Sequence, residues 1–239
     1  MTNSQQLALS VQLPDDETFD SYKSIVNQDV LGQLIQFIEQ KTVVQHEQPN
    51  SFYLFGLSGV GKSHLLHASS AYAAQLGKTS VCLSCAELQN LSVDVLEGLE
   101  QIDLICLDDI HLVANNPLWQ QAIFDLFNRV IEQSNCLLIS GEQSAKQLGL
   151  SLPDLVSRLT WGLTEQLKPL DDDEKVIVLQ YRASQRGLML SDESAKFLLN
   201  RLSREMKSLL SALDTLDKAS MREKRKLTIP FIKEILKLT

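Results

Sequence analysis

No apolar run in the 239 residues of this chain approaches the ~18 consecutive residues that a membrane-spanning helix needs. The N-terminus has neither a basic start nor an apolar stretch of the kind that directs secretion. The expectation is a soluble cytoplasmic protein with no membrane association. Cysteine is scarce. Cys82, Cys85, Cys106 and Cys136 fall in apolar runs that read as buried strands, which suits reduced core side chains and argues against a disulfide framework. Cys82 and Cys85 have C-x-x-C spacing, yet neither the other cysteines nor His46, His64, His67 and His111 supply a second ligand pair for zinc. Positive charge is also short: 22 Lys and Arg against 30 Asp and Glu, net −8, which argues against a nucleic-acid surface spread over the whole molecule. The imbalance is local. Residues 1–170 hold 8 basic and 19 acidic side chains, and residues 171–239 hold 14 and 11. The basic cluster Arg222, Lys224, Arg225 and Lys226 is broken by Glu223 and reads as a solvated helix end. There is no internal repeat and no low-complexity segment.

The length suits one medium domain and one smaller one. Short apolar runs alternate with segments of helical period, the pattern of a parallel α/β sheet. Five strands are expected, at 52–55, 80–84, 104–107, 136–140 and 163–167. Between them, 63–76 and 118–132 carry apolar residues at helical spacing, for example Ile123, Leu126, Phe127, Val130 and Ile131. Lys168-Pro169-Leu170 interrupts the pattern. From Asp171 onward the chain reads as wholly helical, with helices at 171–186, 192–202, 206–219 and 229–238. Asp171 and Ser191 or Asp192 serve as caps, and Pro230 sits where a first-turn proline is tolerated. The expected fold class is α/β: a five-stranded parallel sheet flanked by helices, followed by a small all-helical domain.

Gly56-Leu57-Ser58-Gly59-Val60-Gly61-Lys62-Ser63 is a complete G-x-x-x-x-G-K-S phosphate loop, placed directly after the strand Phe52-Tyr53-Leu54-Phe55. A strand that ends in a glycine-rich turn and feeds a helix points backbone N–H groups and the positive end of the helix dipole at one spot. A nucleotide di- or triphosphate belongs there. The glycines let backbone approach phosphate, Lys62 supplies a point charge, and the Ser63 hydroxyl suits Mg²⁺. Leu104-Ile105-Cys106-Leu107-Asp108-Asp109 is an apolar strand ending in two carboxylates, as a Walker B element does. Asp108 is the second candidate ligand for Mg²⁺. Asp109 stands where a water-polarising Glu is common and is one methylene shorter. Ser140 ends its own strand and could sense the γ-phosphate or orient water. Arg158, on a short apolar segment, is either in a surface ion pair or offered to something outside the domain. Arg204 either reaches back to the phosphates from the lid or pairs with a nearby carboxylate. Residues 19–26 are the candidates for contacting the base.

Together these elements resemble the AAA+ ATPase module and, within it, the DnaA branch of replication proteins. Carrying the resemblance are Asp108-Asp109-Ile110, the helix residues Phe124-Asp125-Leu126-Phe127-Asn128, and Ser157-Arg158-Leu159 ahead of Trp161-Gly162, over a stretch from about residue 18 to the C-terminus. The resemblance implies an AAA+ domain over 18–168 and a lid over 169–239, with ADP or ATP held by Gly59, Val60, Gly61, Lys62, Ser63, His64 and Arg204. It gives Arg158 the place of the arginine finger, Ser140 that of the first sensor and Arg204 that of the second. Initiators of this branch continue into a helix-turn-helix domain, whereas this sequence ends at Thr239. Its start, residues 1–17, resembles the clamp-binding tail of the DnaA-homologous regulators that inactivate initiation. There, Gln6 followed by Leu7, Leu9 and Val11 on a flexible tail could fill a hydrophobic groove. Ser10 replaces an expected proline and Val11 a larger anchor, which implies modest affinity. The partners implied are the DnaA initiator, the DNA polymerase III β sliding clamp, DNA only through that clamp, and further copies of the chain. The activity implied is stimulation of ATP hydrolysis in DnaA, with Arg158 acting in trans. The competing expectation is a self-contained or helicase-loader-like ATPase that uses Asp109 on its own ATP.

Overall fold

The computed structural model describes residues 17–39 and 50–238. Helix α1 (Gln28–Glu39) precedes strand β1 (Ser51–Phe55), which leads through the glycine-rich loop into α2 (Lys62–Gln75). Then come β2 (Ser80–Ser84), the one-turn α3 (Cys85–Leu88), β3 (Leu104–Asp108), α4 (Pro117–Glu132), β4 (Cys136–Gly141), α5 (Pro153–Trp161) and β5 (Leu163–Gln166). The strands form one parallel sheet in the order β2-β3-β4-β1-β5. All five expected strands are present, each within a residue or so of its expected ends. Helices α1, α3 and α5 are additional, and Cys85 opens α3 instead of lying in a strand.

Alternation along the strands divides the core into two layers, because successive strand residues face opposite sides of a sheet. Tyr53, Ile105, Leu107, Leu137 and Ile139 pack under Ile123, Leu126 and Phe127 of α4 and Leu155 and Leu159 of α5. Phe52, Leu54, Leu104, Cys106 and Leu138 pack under Leu34, Phe37 and Ile38 of α1 and Leu65 and Leu66 of α2. Each strand of β1, β3 and β4 is therefore buried on both faces, as in parallel sheets covered by helices on both sides.

After residue 168 the chain is helical: α6 (Asp172–Gln185), α7 (Asp192–Arg201), α8 (Met206–Glu223) and α9 (Ile229–Leu236). Asp171 caps α6 in a reciprocal capping box with Glu174, and Ser191 caps α7 through its hydroxyl. This part has its own core around Leu179, Leu198, Leu213, Leu216 and Phe231. Arg222 and Arg225 pair with Glu223, and Arg225 also with Glu234, so half of the basic cluster is neutralised locally.

Candidate nucleotide-binding site

Gly59 and Gly61 of the loop lie at φ 80° and 99°, the left-handed region that glycine enters without strain. A Cβ on Gly61 would come within 2.6 Å of the Tyr22 ring, so that position admits no side chain. Helix α2 starts at Lys62 with no side chain capping its N-terminus. Its first-turn N–H groups and the positive end of its dipole face the loop, the arrangement that accepts phosphate. The Lys62 side chain is buried, and Nζ donates to Gly56 O at 2.9 Å and Leu57 O at 3.2 Å. The ammonium thus lies folded across its own loop.

Because β4 runs between β3 and β1, Ser140 stands beside the end of β3. Its hydroxyl donates a short hydrogen bond to Asp108 Oδ1 and accepts the Asp109 N–H at 2.8 Å. Ser140 is completely buried. It holds both acids in place and does not itself line the cavity, whereas Asp109 does. Asp109 has φ 59°, a conformation that Asp tolerates better than most residues. Burial first, and the Asp108 charge second, raise its carboxyl above the usual range. His111 lies between Asp109, at 3.8 Å, and Glu142, at 3.7 Å.

Residues 17–27 form a strap across the loop. Tyr22 donates its hydroxyl proton to Val60 O at 3.0 Å. His64 Nε2 contacts Thr18 O at 2.9 Å and Ser21 Oγ at 3.1 Å, while its Nδ1 faces Arg182 of α6 at 3.3 Å. Asn27 exchanges two hydrogen bonds with the Lys168 backbone, at 2.8 and 2.9 Å. Glu174 accepts the backbone N–H groups of Ile25 at 2.7 Å and Val26 at 3.1 Å. One short segment is therefore bonded to the phosphate loop, the end of the sheet and the first lid helix.

Loop, strap and lid enclose a cavity of about 480 Å³, a size suited to a nucleotide. Gly59, Val60, Gly61, Lys62, Ser63, His64 and Asp109 line it, as do Ser21, Tyr22 and Lys23 from the strap. The lid contributes Arg182, Met206, Lys207 and Leu210. Arg204 does not line it. That side chain is 65% exposed and pairs with Asp172 at 3.2 Å, so the lid cations at the cavity are Arg182 and Lys207. The sequence signal for Arg182 was its position one turn from Val178 on the buried face of α6; Glu142 and Lys207 carried none. Arg158 lies elsewhere, on α5, half-buried, with its guanidinium 5.9 Å from the centre of the Phe127 ring. It pairs with no carboxylate among the described residues. Trp161, one turn on, is 58% exposed. Gln6, Leu7, Leu9 and Val11 lie outside the described residues. No helix of the described residues is long and apolar enough to cross a membrane.

Two family models match the chain: the bacterial DnaA ATPase domain over residues 16–166 and the lid domain of Hda over residues 172–236. Among solved structures, domain III of the Thermotoga maritima replication initiation protein DnaA superposes with a TM-score of 0.81 at 18% identity, covering 95% of this chain and 98% of that one. The replication initiator DnaA bound to AMPPCP and single-stranded DNA gives 0.74 at 18% identity, over 89% and 69%. AMPPCP-bound DnaA from Aquifex aeolicus gives 0.69 at 20% identity, over 87% and 66%. At such identities the structural likeness speaks for the fold.

Proposed function

The chain belongs to the bacterial DnaA ATPase-domain family and carries an Hda-type lid, and from that premise we propose that it regulates replication initiation by acting on ATP held by DnaA. In this reading the cavity holds an adenine nucleotide, ADP in the resting state. Lys62 and the α2 N-terminus hold its phosphates, and Ser63 and Asp108 hold Mg²⁺. The bound nucleotide joins strap, loop and lid, and so fixes their relative orientation. Residues 6–11 dock on the β sliding clamp. That attachment raises the local concentration on replicating DNA without any DNA contact of the chain's own. Arg158 then enters the ATP site of DnaA, where a guanidinium that neutralises charge developing in the transition state is worth ~10³ to 10⁵ in rate.

One observation carries this reading: Arg158 is outside the chain's own cavity and has no carboxylate partner among the described residues. The test measures ATP turnover by the protein alone, by ATP-loaded DnaA alone, and by both with clamp on DNA, using wild type and Arg158→Ala. The expected result is fast hydrolysis only in the complete mixture with wild type. Fast turnover by the protein alone, with DnaA-bound ATP left intact, would sink the proposal. A Leu9→Ala variant is expected to lose clamp binding at unchanged nucleotide affinity. The second reading, an ATPase acting on its own ATP, draws on Asp109 and Glu142, which both line the cavity.

A further inference from the structure

Helix α4 buries Trp119, Ile123, Leu126, Phe127 and Val130, and one residue on its buried side is polar: Gln120, completely enclosed. A carboxamide in such a place destabilises the fold unless its polar atoms find partners. Both do. Nε2 donates to Ala114 O at 2.6 Å, while Oε1 accepts the backbone N–H groups of Ser151 at 2.9 Å and Leu152 at 3.0 Å and the Ser151 hydroxyl at 3.2 Å. One side chain thus bridges two segments that are far apart in sequence.

Ala114 ends the 3₁₀ turn Ile110–Val113, which follows Asp109 at the cavity wall. Ser151 and Leu152 lead into α5, the helix of Arg158. Leu152 holds the N-cap position of α5 and has no side chain that can cap it. The oxygen at this helix start comes from Gln120 instead, and a carbonyl oxygen suits the positive end of the helix dipole. The far end of α5 is fixed by close approach: a Cβ on Gly162, which closes the helix, would overlap Ser51 Oγ and O of β1. Between these two ends the Arg158 guanidinium rests over the Phe127 ring. Positions 120 and 127 are two turns apart on α4 and lie on one face. That face therefore supplies both the anchor for the start of α5 and the ring beneath its arginine.

We propose that Gln120 is the positioning residue for Arg158: it fixes where α5 starts and hence where the guanidinium stands, an inference that rests on the role given to Arg158 above. Without the amide, the N–H groups of Ser151 and Leu152 lose their acceptor. Helix α5 then keeps its apolar contacts through Leu155 and Leu159 but not its fixed start. Misplacing a reacting group by about 1 Å can lower a rate on the order of 10²-fold. Gln120 does not line the nucleotide cavity, so its replacement should lower stimulated hydrolysis in DnaA and leave the chain's own nucleotide in place.

The test uses the full chain with ATP-loaded DnaA and clamp on DNA, comparing wild type with Gln120→Met, Gln120→Asn, Arg158→Ala and the Gln120→Met/Arg158→Ala double variant. Met keeps the length and loses every hydrogen bond. Asn keeps the amide but is one methylene too short to hold both segments, and it carries the test if the apolar variant does not fold. The maximal rate at saturating protein should fall about 10- to 100-fold in Gln120→Met and less in Gln120→Asn, with ADP retention unchanged. A variant that is only less stable regains the wild-type maximum as more is added; a misplaced arginine does not. In the Arg158→Ala background Gln120→Met should bring no further loss, because residues that act through one another are not additive. Hydrogen exchange reads the bridge without DnaA: residues 151–161 should exchange about tenfold faster in both variants. Unchanged exchange there, an undiminished maximum in the folded variants, or a further loss in the double variant overturns the inference. A wild type that stimulates nothing, or whose stimulation survives Arg158→Ala, overturns the role of Arg158 itself and the inference with it, even where exchange shows the bridge intact.

Discussion

The nucleotide cavity and the Arg158 end of α5 are built on opposite plans. At the cavity several polar groups are already engaged, Lys62 on two carbonyls, Tyr22 on Val60 and His64 on strap and lid, and behind them Ser140 holds two adjacent acids. At α5, the guanidinium of Arg158 rests on an aromatic face and Trp161 stands largely in solvent. A site whose side chains are fixed beforehand loses little freedom when its ligand arrives. An arginine held by a rigid helix and an aromatic ring, with its N–H donors uncommitted to any carboxylate among the described residues, is suited to a recipient that comes from outside. The two regions should therefore be separable by mutation.

The largest expected effect tests that separation from the α5 side. Arg158→Ala should lower stimulated hydrolysis of DnaA-bound ATP by ~10³-fold or more, while nucleotide retention by the protein itself, measured by filter binding, stays unchanged. A parallel loss of retention would merge the two regions into one. Lys62→Ala should do the reverse. Loss of a charge-assisted contact to phosphate is worth roughly 1.5–3 kcal/mol, or about 10- to 150-fold in affinity, and calorimetric titration with ADP reads it directly. Ser140→Ala comes next. It strands a buried carboxylate oxygen and a partly buried N–H, and should cost about 2–3 kcal/mol. A thermal melt would register that as roughly 4–12 °C for a chain of this size.

How much of this was legible in the sequence follows the same division. The phosphate loop and the carboxylate-ended strand are local: a few adjacent residues fix the backbone and the chemistry together. The five strands emerged with nearly correct ends because apolar runs bounded by turns leave little choice of register. The strap was legible only as a window, residues 19–26, since what makes Ser21, Tyr22 and Lys23 line the cavity is their bonding to groups far along the chain, such as His64 and Glu174. The lid shows the limit most clearly. Its helices and caps followed from periodicity, but which cation faces the cavity depends on the docking angle. The resemblance pointed to Arg204, whereas in the structure Arg204 takes the other course that spacing had left open, pairing with Asp172 ahead of α8, while Lys207, on the first turn, lines the cavity. Ser140 was read as a sensor from its place at a strand end. That the sheet order puts it against Asp108 could not be read from spacing.

The smallest expected effect concerns a residue that serves the cavity at the expense of the fold. Asp109 sits in the left-handed region with its carboxyl raised by burial and by Asp108. A group whose folded pKa lies above its unfolded one contributes stability that is fully present below the unfolded pKa and is lost as pH rises through the folded value. At neutral pH the Asp109 carboxylate therefore destabilises the native state. Asn keeps the size and the tolerance for this backbone conformation while removing the charge. Asp109→Asn should accordingly raise the melting temperature at pH 7, and the gain should shrink as the pH falls toward the ordinary range of an aspartate, where the wild-type side chain becomes neutral too. A variant less stable than wild type at pH 7, or a gain independent of pH, would mean that Asp109 belongs among the well-partnered groups of the cavity. The contrast would then have to be drawn within the cavity as well as between it and α5.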